Sequence, residues 1–184
     1  MMDIGRLRAA RAQVPTPSSL LDVIGAISVA AVDGGGYDVW RRQMTALRRF
    51  AAAHRGPLVI VGDLNTTIHR AAYDDLASAG LHDAHDTLGK GLRPSFKVAA
   101  SGFLARLGPL VRLDHALVSA DVWPTAVEDL EPAGSDHRPF VVTLAVRPRR
   151  RESPGPPTRC VNASAPRTDR PRQHARGIES AQPG

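Results

Sequence analysis

The chain has 184 residues, of which 42 % are apolar and 4 % aromatic, so one domain with a core of aliphatic side chains and alanine is expected. Its net charge of +6 resides in residues 147–184, which hold nine arginines and three acids, whereas residues 1–146 hold fifteen basic and fifteen acidic side chains. This balance excludes a uniformly basic nucleic-acid-binding surface on residues 1–146.

Neither a membrane segment nor an export signal is predicted. No apolar run approaches the roughly 18 residues of a membrane span, and residues 1–11 lack the apolar stretch of a signal peptide. Cys160 has no second cysteine in the sequence with which to form a disulfide. The default expectation is a cytoplasmic protein.

The first predicted elements are a lead-in, a strand and a helix. Residues 1–19 end in the breakers Pro15 and Pro17 and are predicted to be a flexible lead-in. The apolar, β-branched run Leu21–Val32 predicts a strand that is buried on both faces. Apolar residues recur at helical spacing over Tyr37–His54, which predicts an amphipathic helix.

The remaining elements complete an α/β pattern. Short strands are predicted over residues 58–61, 112–119, 122–130 and 140–146. A short helix is predicted over Arg70–Ser78, and residues 81–112 are rich in loops. Alternation of short buried strands with amphipathic helices indicates an α/β domain over residues 20–146. Residues 147–184, rich in arginine and proline, are predicted to be a disordered tail.

The first of three polar clusters is Gly62-Asp63-Leu64-Asn65, at the end of a predicted strand. The Asp63 carboxylate can orient or deprotonate a water, and the Asn65 amide can donate to a phosphoryl oxygen. A plain turn accounts for the same residue types, because Gly, Asp and Asn all favour turns.

The second cluster is Leu113-Asp114-His115. Neighbouring strand residues face opposite sides of a sheet, so only one of the two polar side chains is expected to enter a site. A polar pair on an edge strand is the alternative.

The third cluster is Ser135-Asp136-His137-Arg138-Pro139, in a turn that leads into the last strand. Asp136 suits Mg²⁺, which takes oxygen ligands and often uses only one or two protein carboxylates. His137 suits a base or a phosphate donor if a buried acid such as Asp114 fixes its tautomer.

The ordered set GDLN, RLDHALVS and GSDHRPF resembles the second half of the endonuclease/exonuclease/phosphatase superfamily, and the resemblance covers about residues 20–146. It implies a partial α/β sandwich of that type, mainly one mixed sheet with flanking helices. It also implies a hydrolase that cleaves phosphodiester or phosphomonoester bonds with Mg²⁺ or Mn²⁺ as Lewis acid and template.

The resemblance assigns a role to each matching residue. Asp63 would orient the attacking water, and Asn65 would stabilise the phosphoryl oxygens. His137 would contact the scissile phosphate or transfer a proton, with Asp114 as its partner. The full set of candidates is Asp63, Asn65, Asp114 and His137 for catalysis, Asp136 for the metal, and Ser28 and Ser135 for the substrate phosphate.

Departures from the family pattern predict a truncated or degenerate member. Relatives begin with a half that carries a metal-binding glutamate, and the first twenty residues of this chain contain no glutamate. Ser28 stands where relatives have histidine or a similar polar residue. Serine can still donate to phosphate, but it cannot accept a proton at neutral pH as imidazole can. Without the first half, one sheet face is expected to expose apolar surface that a partner chain would cover.

Two other chemistries, a zinc site and a serine hydrolase, have weaker support in the sequence. The segment His82–Asp86 is interpreted as a solvated loop, since its spacing fits no compact zinc pattern. A serine hydrolase built on Ser135, His137 and Asp114 lacks a nucleophile elbow.

Three functional hypotheses stay open. The first is a metal-dependent phosphoesterase, and the second is a non-catalytic remnant that binds phosphate or a partner chain. The third is a nucleic-acid-associating protein that acts through its arginine tail. The sequence does not define the class of phosphoester substrate; nucleic acid is one candidate.

Overall fold

The computed structural model describes residues 2–4, 6–17, 19–32, 35–98, 106, 108–131 and 134–148. The predicted disordered tail lies outside the described residues except for Arg147 and Pro148. In chain order the elements are β1 (Met2–Ile4), β2 (Leu7–Pro15), β3 (Leu20–Ile27), α1 (Gly36–Ala53), β4 (Leu58–Asp63), α2 (Ala71–Ser78), β5 (Leu81–Asp83), α3 (Ala84–Thr87), β6 (Asp114–Ser119), β7 (Val122–Asp129) and β8 (Phe140–Val146).

A six-stranded mixed sheet in the order β1-β2-β3-β4-β6-β5 forms the centre of the fold. β3 and β4 run parallel, and the other neighbouring strands of this sheet run antiparallel. β7 and β8 form a separate two-stranded antiparallel sheet. The predicted α/β fold, with one main mixed sheet and flanking helices, is confirmed.

Successive side chains of β4 point to opposite faces of the sheet and contribute to two separate hydrophobic cores. Leu58 and Ile60 belong to the core that α1 and α2 cover, which also contains Trp40, Met44, Leu47 and Leu76. Val59 faces the other way and packs in a smaller core with Leu21, Val118, Val122, Leu144 and Val146. The β7–β8 sheet therefore covers part of the face opposite the helices.

The N-terminal prediction is wrong for Leu7–Pro15, which form β2 rather than a flexible lead-in. This strand pairs with β3 from Arg8↔Ile27 to Pro15↔Leu20. Its alanines and arginines have no strong preference for strands, so pairing with β3 outweighs local propensity. Pro17 lies in the connecting turn, where the Thr16 hydroxyl donates to the Ser19 carbonyl oxygen at 2.8 Å.

Other boundaries differ less from the predictions. β3 ends at Ile27, five residues before the predicted Val32, and the predicted loop region 81–112 contains β5 and α3. On the face opposite the helices, Val14 and Ile27 remain 44 % and 56 % exposed. None of the described helices is long and apolar enough to span a bilayer.

Candidate active site

Two carboxylates face each other at one rim of the main sheet. Asp63 ends β4, Asp114 begins β6, and the two are direct partners in the antiparallel pairing of these strands. Opposed residues of an antiparallel pair project their side chains from the same face. Like charges at such positions repel, so this pair requires a compensating group.

His137 provides that compensation. Its Nδ1 lies 2.8 Å from Asp114 Oδ2, and its Nε2 lies 4.0 Å from Asp63 Oδ2. The ring thus stands between the two carboxylates, hydrogen-bonded to one and in ion-pair range of the other. Because a carboxylate only accepts, the Nδ1 atom must carry a hydrogen, which leaves Nε2 directed toward Asp63.

The turn that carries His137 is fixed by short backbone contacts. The Ser135 hydroxyl accepts the His137 backbone N–H at 3.0 Å, and the Lys97 N–H donates to the Asp136 carbonyl oxygen at 2.9 Å. The Phe96 ring lies 4.8 Å from the His137 ring. The Ser135 hydroxyl therefore supports the turn and does not bond to the imidazole, contrary to what a serine nucleophile requires.

Asn65 adjoins Asp63 on the loop after β4. Its backbone N–H donates to Asp63 Oδ1 at 2.9 Å, and its Nδ2 donates to Asp63 Oδ2 and to the Ser28 carbonyl oxygen, both at 3.0 Å. Both side-chain amide hydrogens are engaged, so donation to a phosphoryl oxygen requires one of these bonds to be exchanged. Ser28 contributes through its backbone, since its side chain is buried and its hydroxyl donates to the Val29 carbonyl oxygen at 3.3 Å.

The backbone leading to Asp63 is unusual. Gly62 has a φ of 140°, and a Cβ there would lie 2.1 Å from the Ala26 carbonyl oxygen. Asn65 has a φ of 46°, a left-handed conformation that asparagine tolerates better than most residues. The sequence Gly-Asp-Leu-Asn therefore suits the close approach of β4 to β3 and the sharp turn after it.

Ser95 is a functional candidate that the sequence interpretation missed. It is buried, and its hydroxyl donates to Asp114 Oδ2 at 2.7 Å. The same oxygen atom of Ser95 accepts the backbone N–H groups of Leu113 and Asp114 at 3.1 and 3.2 Å. Ser95 lies in a segment without periodicity, so no pattern in the sequence indicated it.

Burial and neighbouring charges shift the pKa values of Asp63 and His137, the two groups that face the rim. Burial raises the pKa of the Asp63 carboxyl, and the nearby Asp114 charge adds to this effect, although hydrogen bonds from Asn65 and the His137 charge oppose it. Burial lowers the pKa of His137, but the hydrogen bond to Asp114 and the charges of Asp114, Asp63 and Asp136 outweigh burial, so that pKa lies above its ordinary value.

Asp136 is exposed at the same rim. Its charge contributes to the raised pKa of His137, which places it within electrostatic range of the ring. Direct contacts join Asp63, Asn65, Asp114 and His137 at a single edge of the sheet, and Asp136 precedes His137 in the turn there.

A second polar cluster lies on the helix side of the sheet. Asp83 and His85 are buried, so the interpretation of His82–Asp86 as a solvated loop is wrong for these two residues. His85 Nε2 lies 3.2 Å from Asp129 Oδ1, and Asp83 Oδ2 lies 2.7 Å from His115 Nδ1. As expected from strand alternation, Asp114 enters the rim site and His115 does not.

A model of the endonuclease/exonuclease/phosphatase family matches residues 7–137. The chain belongs to this family. The match begins at β2, thirteen residues before the start that the sequence motifs indicated, in keeping with the strand found there. Comparison with curated protein sequences gave no match.

Solved structures of this family share the fold. A 3′ phosphatase from Neisseria, NExo, in complex with a product DNA hairpin, matches with a TM-score of 0.61 and 21 % identity, covering 75 % of this chain and 65 % of its own. Humanized TDP2 from D. rerio gives 0.56 and 19 %, covering 74 % of this chain and 59 % of its own. An endonuclease/exonuclease/phosphatase from Bacteroides vulgatus gives 0.55 and 19 %, covering 76 % and 55 %. This member thus spans less than two thirds of each of these structures.

The residues present fit a water-rich metal site better than a closed one. Among the described residues, no group of three or more histidine, cysteine or acidic side chains is arranged to hold a metal ion. The exposed Asp136 carboxylate offers oxygen ligands beside the rim. Mg²⁺ commonly retains several waters and uses one or two carboxylates together with substrate phosphate, so the donor chemistry at this rim is compatible with it.

Proposed function

We propose that this member of the endonuclease/exonuclease/phosphatase family is a phosphoesterase that hydrolyses phosphodiester or phosphomonoester bonds with Mg²⁺ or Mn²⁺. The observation that carries the proposal is the position of the His137 ring between Asp114 and Asp63, 2.8 and 4.0 Å from their oxygens. An ion-paired imidazole beside a partly buried carboxylate can act on an anionic ester and on the water that attacks it.

Each residue at the rim would have its own role in hydrolysis. Asp63, desolvated and ready to accept a proton, would orient and deprotonate the attacking water. His137, with Nδ1–H donated to Asp114, would direct Nε2–H at a phosphoryl oxygen and stabilise the charge that develops there. Asn65 holds Asp63 through two hydrogen bonds, and it would turn one amide hydrogen toward the phosphate when substrate binds.

Asp136 would hold the metal ion through its exposed carboxylate. The ion, when bound, would supply positive charge to the phosphate and help to orient it. Ser135 contacts the His137 backbone, so its hydroxyl would orient the turn rather than the phosphate. The buried Ser28 would act through its carbonyl oxygen, which holds Asn65.

We also propose nucleic acid as the first substrate class to test. Two structures that share this fold were determined with a product DNA hairpin or a single-strand DNA product. Basic and acidic side chains balance over residues 1–146, so recognition would rest on the rim and on contacts with a few phosphates. The tail, with nine arginines between residues 147 and 184, could add sequence-independent attraction.

Hydrolysis of bis-p-nitrophenyl phosphate with Mg²⁺ or Mn²⁺ tests the phosphoesterase proposal. We expect metal-dependent turnover that His137→Ala lowers by on the order of 10²- to 10⁴-fold, the range typical of a lost acid–base group. His82→Ala, which removes an exposed histidine on β5, is the matched control and should leave the rate unchanged.

Absence of turnover in the wild-type chain, with phosphate binding retained, would favour the non-catalytic remnant instead. Equal rates for the wild type and His137→Ala would show that any measured turnover arises elsewhere.

A further inference from the structure

His115 follows Asp114 in β6 but faces the other side of the sheet, and the proposed hydrolysis gives it no role. Its side chain is fully buried. Nδ1 lies 2.7 Å from Asp83 Oδ2, and Nε2 lies 3.0 Å from the Thr66 carbonyl oxygen. Thr66 immediately follows Asn65, so this ring joins a buried carboxylate to the loop that carries two catalytic candidates.

The hydrogen-bond partners determine where the protons lie. A carbonyl oxygen only accepts, so Nε2 must carry a hydrogen. A further proton lies between Nδ1 and the Asp83 carboxylate. Burial would raise the pKa of Asp83, but hydrogen bonds from His115 and His85 outweigh burial and hold that pKa well below its usual range. His115 is therefore held at both ring nitrogens, by Asp83 at Nδ1 and by the Thr66 carbonyl oxygen at Nε2.

The Asp63–Thr66 loop depends on contacts from this side of the sheet. The Leu64 N–H donates to the Leu113 carbonyl oxygen at 3.0 Å, and the indole N–H of Trp40 donates to the Leu64 carbonyl oxygen at 3.0 Å. His115 adds the next contact along the chain. Asn65 adopts a left-handed conformation, which persists only where the surroundings fix it.

We propose that His115 is a positioning residue: held by Asp83, it fixes the loop that carries Asp63 and Asn65 through its hydrogen bond to the Thr66 carbonyl oxygen. The catalytic consequence rests on the proposed phosphoesterase function, whereas the effect on the loop does not. His115 touches neither the substrate rim nor His137 and acts only through the backbone of this loop.

Two amide substitutions separate the contacts of the ring. The amide nitrogen of asparagine occupies a position near Nδ1, so His115→Asn keeps a donor to Asp83 and loses the one to Thr66. The amide nitrogen of glutamine lies near Nε2. The double variant Asp83→Asn/His115→Gln therefore restores a donor to Thr66 and lets the two amides bond to each other.

Kinetics of the two variants provide one arm of the test. We expect His115→Asn to lower kcat on the order of 10²-fold with KM changed less than about threefold, because the loss is one of orientation. The double variant should recover kcat to within about tenfold of the wild type. Equal losses in both variants would overturn the proposal, since a merely structural role would not distinguish them.

Nuclear magnetic resonance provides an arm that needs no turnover. In the wild-type chain, Nε2 of His115 should carry a hydrogen, and the Asn65 side-chain amide should show two protected signals. His115→Asn should shift and broaden the Asn65 signals, and the double variant should restore them. A His115 ring without hydrogen on Nε2, or Asn65 signals that neither substitution changes, would refute the positioning role even if the chain hydrolyses no phosphoester.

Discussion

At the scale of the residue, the site consists of a few groups whose charges are coupled. Asp63 and Asp114 face each other across two strands, and His137 stands between them. Asp114 and His137 therefore act on the pKa of Asp63, and both carboxylates raise the pKa of His137. This coupling makes the pH dependence of activity a direct readout of the geometry.

The pH profile of turnover should be bell-shaped. Asp63 must be ionised to accept a proton, so activity should rise with pH through a pKa above the ordinary aspartate value. His137 must be protonated to donate, so activity should decline as pH rises through a pKa above the ordinary histidine value. Asp114→Asn removes the partner that raises the His137 pKa most, so the alkaline limb should move to lower pH. An alkaline limb that does not move would contradict the assigned pairing.

Ser95 makes a residue-scale prediction about stability. Ser95→Ala removes a donor to Asp114 and leaves two partly buried backbone N–H groups without this acceptor. We expect the free energy of unfolding to decrease by about 1–3 kcal/mol, the cost of leaving buried polar groups unpaired. Urea unfolding measures this change. Ser78→Ala, at an exposed helix position, serves as the control and should shift stability by less than about 0.5 kcal/mol.

At the scale of the element, β4 positions the site because it approaches β3 closely. A Cβ at Gly62 would lie 2.1 Å from the Ala26 carbonyl oxygen, whereas a Cβ at Gly25 would meet nothing within 4 Å. Gly62→Ala must therefore displace either strand, and Asp63 moves with it. An unstrained Gly→Ala change typically stabilises a protein by about 0.4–1 kcal/mol, so a loss of stability at Gly62 would report the clash with β3.

Thermal unfolding and turnover of three variants test this reasoning. Gly62→Ala should lower Tm and activity together, and Gly25→Ala should change neither appreciably. Gly80→Ala separates the two causes, since Gly80 has a φ of 85° but open space around it. If Gly80→Ala costs as much as Gly62→Ala, backbone conformation rather than the approach to β3 is responsible.

Elements with a strong internal pattern could be predicted from the sequence. β8 has the predicted bounds Phe140–Val146, and α1 is shifted by one residue from the predicted Tyr37–His54, because buried positions there recur with the period of the element. β2 was missed, since its outward alanines and arginines carry no strand pattern and its order comes from pairing with β3.

The candidate site likewise contains residues that a sequence pattern indicates and residues that no pattern indicates. Asp63, Asp114 and His137 could be found because each lies beside the end of a strand, where the topology brings polar groups together. Ser95 and His115 could not be assigned roles from the sequence. Their partners are 19 and 32 residues away along the chain, and only the folded structure brings them into contact.

At the scale of the whole molecule, the face of the main sheet opposite the helices is only partly covered. Val14 and Ile27 are 44 % and 56 % exposed there, beyond the area that the β7–β8 sheet covers. A partner chain over this face, as the sequence led us to expect, stays a prediction. Exposed apolar side chains on a sheet face favour association.

Val14→Lys tests that prediction far from the rim site. A charge at this position should reduce self-association and the binding of an apolar dye, while turnover stays the same. Sedimentation velocity measures the first effect. Arg8→Lys, which keeps the charge on the same strand, is the control. A wild-type chain that is monomeric at high concentration and binds no dye would argue against a covering partner.

The candidate site is divided between the two sheets. Asp63 and Asp114 belong to the main sheet, whereas His137 belongs to the turn between β7 and β8, which rests on the smaller of the two cores. Detachment of this hairpin would separate the imidazole from both acids while the helices stay intact. The proposed turnover should therefore be lost on warming before circular dichroism records any melting, so that activity would report the first loosening of the fold.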